Sequence, residues 1–365
     1  MKKIIKKRWK RIQNYLEDRR ADAFVVSNPH NIRYLACPEM RSHLPITFLL
    51  ISRSEEPIAI VPHAELERVK DKTPISEILT YSTISFNGVN AEKPEELMKK
   101  VLAEKKLTFI FCDRTLSDFK VEGQIDDFIE TMRAIKDQYE IECLKTAQKI
   151  TIEAAKKLKD IIEEGKTEMQ IANELDYIMR KLGAPLVHFD TIIASGKHST
   201  YSHHQPSERK IKKGDSVICD FGASFKGYGA DVTRTYFIGK ISDDMTKAYQ
   251  AVYESLQAGI DSVEEGVTYS NIYDSSYSVL KKYGFRRTLG TPTGTGGHGI
   301  GLEVHERPWL RPGSAEIVKE GHIFTIEPGV YIPGKFGVRI EDDILVYRGV
   351  HNLTLIEKNI EECII

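Results

Sequence analysis

Five side chains that could bind metal stand at wide, irregular spacings in the second half of the chain: Asp220, Asp231, His298, Glu327 and Glu341. Four carboxylates and one imidazole suit hard divalent cations, because two such cations need several oxygen ligands and one histidine nitrogen can complete a coordination sphere. Their local sequences, in order, are DFGASFKGYGADVTRT, GHGIGLEVHERP, TIEPGVY and RIEDD. Each segment alone is weak evidence, but together they predict a hydrolytic site with two metal ions.

The two aspartates stand at the ends of two apolar segments. Asp220 ends the run SVICD, and Asp231 opens the segment DVTRTYFIG, with several glycines between them. Such glycines suit a hairpin, which would bring the two carboxylates together although they are 11 residues apart. Two carboxylates close together in an apolar setting repel each other unless protons or cations intervene. The alternative, a turn or capping aspartate, fits each residue alone better than it fits the pair.

The other three candidates have contexts that suit a metal site. Glycines flank His298 and allow close backbone approach, although a lone histidine is more often structural. Glu327 follows the apolar run IFTI and precedes a Pro-Gly turn. Residues 338–346 alternate like one strand, with Glu341 on the same face as Arg339. For Glu341 alone, a charge on an edge strand is the simpler interpretation.

The elements that must position these residues fall into two parts. Up to about residue 130, strand-like runs at 23–26, 46–51, 58–61 and 107–111 alternate with charged helical stretches. This alternation indicates an α/β layer with its own sheet. Residues 128–159 are typical of a linker followed by the opening helix of a second domain. We therefore predict an N-terminal domain over residues 1–130 and a C-terminal domain over residues 131–365.

The second part contains an internal repeat. The segments EEGKT, ending at Thr167, and EEGVT, ending at Thr268, each precede a 16-residue helical pattern that ends in glycine, at Gly183 and Gly284. Thr167 and Gln170 fit a capping box, and each glycine fits a C-terminal cap. The repeat predicts two similar αβ halves about a pseudo-twofold axis, with the site where they meet. Chance is the alternative, because Gly-x-Thr begins many helices.

Composition indicates an ordinary globular protein and excludes several function classes. Hydrophobic residues make up 41% and charged residues 29% of the chain, and the net charge of −1 provides no field for nucleic acid or an anionic membrane. The basic start, MKKIIKKRWKR, predicts an amphipathic surface helix, with membrane-surface binding as the alternative. The sequence contains no secretory signal, no 18-residue apolar span and no C-x-x-C pair among its five cysteines. We therefore expect a cytoplasmic protein.

The segments around the candidate ligands resemble the creatinase-like, or pita-bread, metallopeptidases, which include methionine aminopeptidase, Xaa-Pro aminopeptidase and prolidase. NPHNIRYL at residues 28–35 and RAIK at residues 133–136 resemble the N-terminal domain and interdomain helix of the proline-specific branch, so the resemblance covers nearly the whole chain. It implies an α/β (α+β) fold. A creatinase-type, ribonuclease H-like α/β domain would precede a pita-bread domain with pseudo-twofold αβ halves around a curved antiparallel sheet.

The resemblance also implies how the metals are held. Asp231 and Glu341 would bridge the two ions. Asp220 would complete the ligands of one ion, and His298 with Glu327 would complete those of the other. A bridging water would attack the scissile carbonyl, and Glu327 would carry its proton to the leaving amine.

Further residues match supporting groups of the family. His203 and His305 match the imidazoles that face the substrate, Arg339 matches the arginine that orients the metal-binding carboxylates, and Thr233 matches a supporting hydroxyl. The family's usual metal is manganese, with Co²⁺, Zn²⁺ or Fe²⁺ as alternatives. By resemblance, we expect two divalent ions and a homodimer.

The chain departs from the family pattern at three places. In the usual S-G-x-N-S-x-x-P-H, His198 replaces asparagine and Ser202 replaces proline. Gly294 stands where an upstream histidine often lies, and Gly297 is an apparent extra glycine. Prolidases tend to follow HE-x-P with an arginine that grips the carboxylate of a dipeptide, and here Trp309 holds that place.

The third departure favours an Xaa-Pro aminopeptidase acting on longer proline-containing peptides, because bidentate capture of a carboxylate needs a well-placed guanidinium. The alternative with the same chemistry is a prolidase, an Xaa-Pro dipeptidase. Remote alternatives are a metal-free binding module of the same fold and a creatinase-like C–N hydrolase without metal. Both are disfavoured because all five candidate ligands are present.

Overall fold

The computed structural model describes residues 1–40, 46–84, 89–115, 123–285 and 295–365. These residues divide into two units, Met1–Arg133 and Ala134–Ile365, and each unit has its own sheets and its own buried core. The five cysteines are free and buried. Among the described helices, none has the length and apolar character that a membrane crossing requires.

A six-stranded mixed sheet forms the centre of the first unit. Its strands are β1 (Ala23–Val26), β2 (Phe48–Ser52), β3 (Ile58–Pro62), β4 (Glu77–Tyr81), β5 (Ile110–Cys112) and β6 (Gln124–Ile125), in the order β4-β3-β2-β1-β5-β6. The helices are α1 (Lys2–Arg19), α2 (Pro29–Ala36), α3 (Leu66–Lys72), α4 (Pro94–Glu104) and α5 (Phe128–Ala134). The predicted α/β layer is confirmed, and the four predicted strand-like runs correspond to β1, β2, β3 and β5.

The basic N-terminal segment forms α1, an amphipathic helix. Ile5, Trp9, Ile12 and Leu16 recur every three or four residues and are buried, whereas the lysines are exposed. The indole Nε1 of Trp9 donates to the carbonyl of Leu35 at 2.7 Å. The apolar face of α1 is therefore already covered within the first unit, which favours a surface helix over membrane-surface binding.

The second unit contains five helices and a set of short strands among its described residues. The helices are α6 (Gln138–Ala155), α7 (Leu158–Ile161), α8 (Glu168–Lys181), α9 (Asp243–Asp261) and α10 (Tyr269–Lys282). The strands of the first half are β7 (Leu186–Val187), β8 (Ile192–Ser195), β9 (Ser216–Phe221), β10 (Ala223–Phe225), β11 (Tyr228–Gly229) and β12 (Val232–Phe237). Those of the second half are β13 (Gly297–Gly299), β14 (Glu306–Leu310), β15 (Ile323–Ile326), β16 (Gly329–Ile332), β17 (Phe336–Arg339), β18 (Asp342–Val346) and β19 (Val350–Asn352).

The strands of the second unit pair antiparallel in four sheets. Their orders are β11-β10-β7, β12-β9-β8, β14-β13-β15-β18-β19 and β16-β17. One apolar core joins both halves, with residues from α8 and β9 in the first half and from α10 and β15 in the second. This arrangement, helices packed on antiparallel strands in two related halves, is the predicted pita-bread architecture.

The two halves repeat one helical unit with matching caps. Helices α8 and α10 each contain 14 residues and follow the N-cap residues Thr167 and Thr268. Gly183 and Gly284 follow their C-terminal ends with φ of 106° and 90°, the left-handed conformation that glycine adopts without strain. The side chain of Gln170 completes a capping box with Thr167. The repeat predicted from the sequence is confirmed.

Strands β9 and β12 form the hairpin predicted from the two aspartates. Asp220 pairs with Thr233, so Asp231, two residues before Thr233, is directed to the same face as Asp220. Between the two strands, β10 and β11 form a second short hairpin. Gly222 is required there, because a Cβ atom would lie 1.7 Å from the carbonyl oxygen of Ala230.

The single strand predicted for residues 338–346 is wrong. The chain leaves β17 at Arg339 and enters β18 at Asp342, and these strands pair in different sheets. Ile340 and Glu341 form the crossing between them, and the backbone N–H of Glu341 donates to the carbonyl of Thr233 at 3.1 Å. Every residue of both strands is buried. The alternation of residue types in this segment therefore does not correspond to one buried and one exposed face.

Candidate metal centre

The side chains that the sequence identifies as candidates line one cavity of the second unit. The lining residues are Phe189, Ile192, His203, Asp220, Asp231, His298, Val304, His305, Glu327, Arg339 and Glu341. All eight predicted metal ligands and catalytic groups are among them, contributed by both halves of the repeat. The cavity therefore lies where the two halves meet, as the repeat predicts.

Three of the candidate ligands converge closely. Asp231, His298 and Glu341 each offer one ligand atom, and these atoms lie within 4.8 Å of one another. Nε2 of His298 is 3.7 Å from Oδ2 of Asp231 and 3.4 Å from Oε1 of Glu327. These separations are longer than hydrogen bonds and suit atoms that share a cation.

Several carboxylate oxygens in the cavity are buried without a partner. Oδ1 of Asp220, Oδ1 of Asp231 and Oε1 of Glu341 accept no hydrogen bond from any described residue. A buried, unpartnered carboxylate oxygen is costly because it has lost water and gained nothing in return. Divalent cations would supply the missing partners, so the residues fit a metal centre.

The electrostatics of the carboxylates lead to the same conclusion. Burial raises the pKa of Asp231 well above its ordinary value, and the charges of Glu341 and Asp220 raise it further. Burial also raises the pKa of Glu341, followed by the charges of Glu327 and Asp220. Burial raises the pKa of Glu327 to about 7. Carboxylates in this arrangement disfavour one another's charge until protons or cations neutralise them.

His298 is prepared to act as a neutral nitrogen ligand. Burial lowers its pKa to about 3, and the neighbouring His305 lowers it further. Nδ1 lies 3.1 Å from the carbonyl oxygen of Gly299, and since a carbonyl only accepts, Nδ1 carries the proton. The lone pair of Nε2 then faces the carboxylates, none of which can donate to it while ionised. A cation between them would satisfy both sides.

Arg339 and Thr233 hold two of the carboxylates in place. The guanidinium donates from Nη2 to Oδ2 of Asp220 at 2.5 Å and from Nε to the hydroxyl of Thr233 at 3.0 Å. That hydroxyl donates in turn to Oε2 of Glu341 at 2.7 Å. Nη1 of Arg339 also donates to the hydroxyl of Tyr331 at 2.9 Å. Each carboxylate thus keeps one oxygen fixed and the other free to face the cavity.

Two more imidazoles and an apolar wall complete the cavity. The ring centroids of His203 and His305 are 6.2 Å apart, and that of His305 is 4.3 Å from that of His298. Burial lowers the pKa of His305, and so does the nearby His203. Phe189, Ile192 and Val304 supply the apolar wall. The cavity can therefore hold an apolar group next to N–H donors and the carboxylate cluster.

The structure accounts for some departures from the family pattern. A Cβ atom on Gly297 would lie 2.0 Å from the carbonyl oxygen of Thr325, so glycine is required where β13 passes β15. The ring of Trp309 stacks near that of His305 at 6.5 Å between centroids. Arg307, two residues earlier, pairs with Glu316 at 3.2 Å. Gly294, where an upstream histidine often lies, is outside the described residues.

Sequence reasoning missed several residues of the site. Tyr331, which bonds Arg339, carries no local signal, and Phe189 and Val304 are ordinary apolar residues. Glu168 follows the N-cap Thr167 and shows no signal of its own in the sequence, yet its buried carboxylate bonds His204 at 2.8 Å, next to His203. The concentration of histidines at residues 198–204 is the one sequence signal that pointed there.

Two family models match the chain. Residues 142–348 match the model of metallopeptidase family M24, and residues 8–135 match the model of the creatinase/prolidase N-terminal domain. Together these matches cover both units.

Some relatives of similar length carry proline-specific names. The Xaa-Pro dipeptidase of Pyrococcus horikoshii is 31% identical over 98% of this chain and 99% of its own length. The solved Xaa-Pro dipeptidase from Bacillus anthracis has a TM-score of 0.87 at 29% identity, covering 99% of this chain and 100% of that one. The X-Pro aminopeptidase from Thermotoga maritima has a TM-score of 0.84 at 30% identity, covering 98% and 99%.

Proposed function

Because the chain belongs to metallopeptidase family M24, we propose that it is an Xaa-Pro dipeptidase, which splits a dipeptide before its C-terminal proline. The observation that carries the proposal is the convergence of four buried carboxylates and His298 on one cavity, with carboxylate oxygens left unpartnered. The names of full-length relatives support the dipeptidase more than the aminopeptidase that the sequence favoured.

Five residues would hold the metals: Asp220, Asp231, His298, Glu327 and Glu341. By the resemblance, Asp231 and Glu341 would be the ligands shared by both ions; Oδ1 of Asp231 and Oε1 of Glu341 are buried without a hydrogen-bond partner among the described residues, as is Oδ1 of Asp220. When bound, two divalent cations polarise the scissile carbonyl and lower the pKa of a water. Two such ions would also neutralise the mutual repulsion of the carboxylates.

Proton transfer is assigned to Glu327 and charge stabilisation to the imidazoles. A carboxylate that lines the cavity beside the other candidate ligands can accept a proton from an attacking water and release it to a leaving group. Glu327 would take the proton of the attacking water and hand it to the leaving proline nitrogen. His203 and His305, which line the cavity and are exposed, would donate to the oxyanion that develops on the carbonyl.

The apolar wall gives a physical basis for proline specificity. Phe189, Ile192 and Val304 add carbon surface to the cavity that the carboxylates line. A pyrrolidine ring buried there is stabilised by about 25 cal/mol per Å² of apolar area. The proline nitrogen carries no N–H in the peptide bond, so the site needs no acceptor for it.

An assay on matched substrates tests the proposal. With added Mn²⁺, an Xaa-Pro dipeptide should be cleaved at least about tenfold more efficiently, in kcat/KM, than the same dipeptide extended by one residue. Asp231→Asn should abolish turnover of both, because it removes a bridging carboxylate. Retained turnover in Asp231→Asn would contradict the bridging role. Wild-type protein that neither binds metal nor cleaves either substrate would instead favour the metal-free binding module.

An Xaa-Pro aminopeptidase is the second candidate, favoured by a specific observation. Trp309 stands where prolidases tend to place a carboxylate-gripping arginine, and the neighbouring Arg307 is engaged by Glu316. The guanidinium of Arg339 is likewise engaged, by Asp220 and Tyr331 among others. Preference for the extended substrate in the same assay would support this candidate.

Two finer expectations accompany the proposal. Manganese as the resident metal and a homodimer as the assembly both come from the resemblance. Metal analysis of protein purified without added ions tests the first, and sedimentation equilibrium tests the second.

A further inference from the structure

A second polar cluster surrounds Glu168, the first residue of α8. The side chain of Glu168 is 0% exposed. Its carboxylate accepts from the backbone N–H and the hydroxyl of Ser195 at 2.8 and 2.6 Å. It also accepts from the backbone N–H and the hydroxyl of Ser207 at 3.1 and 2.6 Å. One buried carboxylate therefore holds both ends of the loop between Ser195 and Ser207.

Two histidines of the same loop also contact this carboxylate. Nδ1 of His198 lies 3.1 and 3.2 Å from its two oxygens, and Nε2 of His204 lies 2.8 Å from Oε2. Burial alone would raise the pKa of Glu168, but hydrogen bonds from His204, Ser195 and Ser207 outweigh it and lower the pKa to about 2. Glu168 is therefore an anion that the loop's donors surround.

A metal site at this cluster is a poorer explanation than hydrogen bonding. The ligand atoms of Glu168, His198 and His204 lie within 4.8 Å of one another, as a metal site requires. However, both oxygens of this carboxylate already accept hydrogen bonds from the two serines, which a bound cation would have to displace. The 2.8 Å contact of His204 is an ordinary hydrogen-bond length, whereas two ligands of one tetrahedral ion lie about 3.4 Å apart when each bond is about 2.1 Å.

The loop held by Glu168 carries His203. The side chain of His203 is exposed, so packing does not fix it. Its two neighbours are fixed instead. The carbonyl of Ser202 accepts from Nη1 of Arg339 at 3.1 Å, and the ring of His204 donates to Glu168. The position of His203 at the cavity is therefore set from both sides through the backbone.

We propose that Glu168 is a positioning residue for His203, acting through the loop contacts of His204, Ser195 and Ser207. The inference rests on the proposed function, in which His203 stabilises charge that develops during the reaction. A displacement of about 1 Å can cost about 10²-fold in rate. Loosening the loop should therefore lower kcat more than it raises KM. His198, in place of the family's asparagine, adds a donor to the same carboxylate.

Substitution at His204 tests the proposal while it leaves the serine contacts of the buried carboxylate in place. His204→Ala removes one donor and should lower kcat on an Xaa-Pro dipeptide about tenfold or more, with KM changed less. His204→Gln keeps an N–H close to the position of Nε2 and should restore most of kcat. His351→Ala, at an exposed histidine whose hydrogen-bond partner within the described part of the chain is the carbonyl of Tyr347, is the matched control and should leave both constants unchanged. Wild-type kcat in His204→Ala would overturn the proposal.

A double-mutant cycle separates positioning from loss of folded protein. If Glu168 acts through His203, adding His204→Ala to His203→Ala should cost little beyond the loss from His203→Ala alone. A structural defect would instead multiply the two losses, and that result would overturn the proposal.

Hydrogen–deuterium exchange provides a readout that needs no substrate. Glu168→Gln and His204→Ala should each speed exchange in residues 196–206 by about tenfold or more, while α9 and α10 keep their wild-type rates. Unchanged exchange in this loop would overturn the proposal whatever the substrate proves to be. Wild-type protein that fails to cleave Xaa-Pro bonds, with faster loop exchange in the variants, would reject the proposed substrate and retain the positioning of His203.

Discussion

Arg339 is the residue that joins most parts of the candidate site. Its guanidinium has five N–H donors in a rigid plane and does not lose its charge in a protein. In this chain they bond the carboxylate of Asp220, the hydroxyls of Thr233 and Tyr331, and the carbonyl of Ser202. The guanidinium of Arg339 thereby orients the carboxylate of Asp220 directly. It also holds the loop that carries His203, through the backbone carbonyl of Ser202. Glu341 is held one step further away, through Thr233.

We expect Thr233→Val to lower activity through this chain of contacts. Valine keeps the shape but removes the hydroxyl that accepts from Arg339 and donates to Glu341. Loss of such a supporting contact typically costs about 10–100-fold in metal affinity or activity. Steady-state kinetics and titration with Mn²⁺ measure both effects.

Thr235→Val is the matched control on the same strand. Thr235 is as fully buried as Thr233, but among the described residues its hydroxyl bonds the backbone of Arg339 alone. We expect a comparable loss of stability with a much smaller loss of kcat/KM. Equal kinetic losses in the two variants would mean that the hydroxyl of Thr233 has no particular role in orienting Glu341.

At this scale, the sequence predicts residues whose type alone suggests chemistry. Asp220, Asp231 and His298 could be identified because carboxylates and imidazoles in apolar or glycine-rich contexts are uncommon. Tyr331 and Glu168 could not be identified, because their roles depend on partners brought close only by the fold. The donor Ser207, for example, is 39 residues from Glu168.

The two halves of the repeat provide a comparison between related helix starts. Thr167 caps α8 in a full capping box, in which the side chain of Gln170 bonds back to the N-cap backbone. Thr268 caps α10 by accepting from the backbone of Asn271. The N-terminus of α8 therefore has one hydrogen bond, from the N-cap backbone to the side chain at the third helical position, that the structure does not give for α10.

We expect Thr167→Ala to destabilise the protein more than Thr268→Ala does. Loss of an N-cap side chain typically costs about 1 kcal/mol. The loss at Thr167 should be the larger, because its box also helps to anchor the start of α8, where Glu168 is buried. Urea unfolding of both variants measures the difference, with an unchanged m-value as the check that both remain two-state. An equal or larger loss from Thr268→Ala would contradict this account of the two caps.

At the scale of elements, the sequence predicted hairpins and helix caps, which depend on residues close together in the chain. The hairpin of β9 and β12 was predictable from apolar runs around glycines, and the caps of α8 and α10 from Thr and Gly. The break between β17 and β18 was not predictable, because both strands are buried on both faces and leave no change in pattern where the chain crosses sheets. The pairing that defines this break joins residues distant in sequence.

At the scale of the whole molecule, the candidate centre buries several carboxylates whose charges repel one another. Burial and mutual charge raise the pKa of Asp231 and of Glu341 above their ordinary values. Ions that bind only the folded protein stabilise it by mass action, by about 2.7 kcal/mol at a concentration one hundred times Kd. The stability of the protein and the occupancy of the centre should therefore be coupled.

We expect opposite effects of Asp231→Asn on the metal-free and metal-loaded protein. Without metal, removing one of several crowded charges should raise Tm by about 2–4 °C for each kcal/mol of repulsion relieved. With saturating Mn²⁺, wild-type Tm should rise by roughly 5–10 °C, and Asp231→Asn should lose most of that rise. Asp274→Asn, at an exposed aspartate of α10, should behave like wild type in both states. Differential scanning calorimetry in chelator and in Mn²⁺ measures all four comparisons. A metal-free Asp231→Asn protein less stable than wild type, with its Mn²⁺ response intact, would show that this carboxylate serves folding and not the metals.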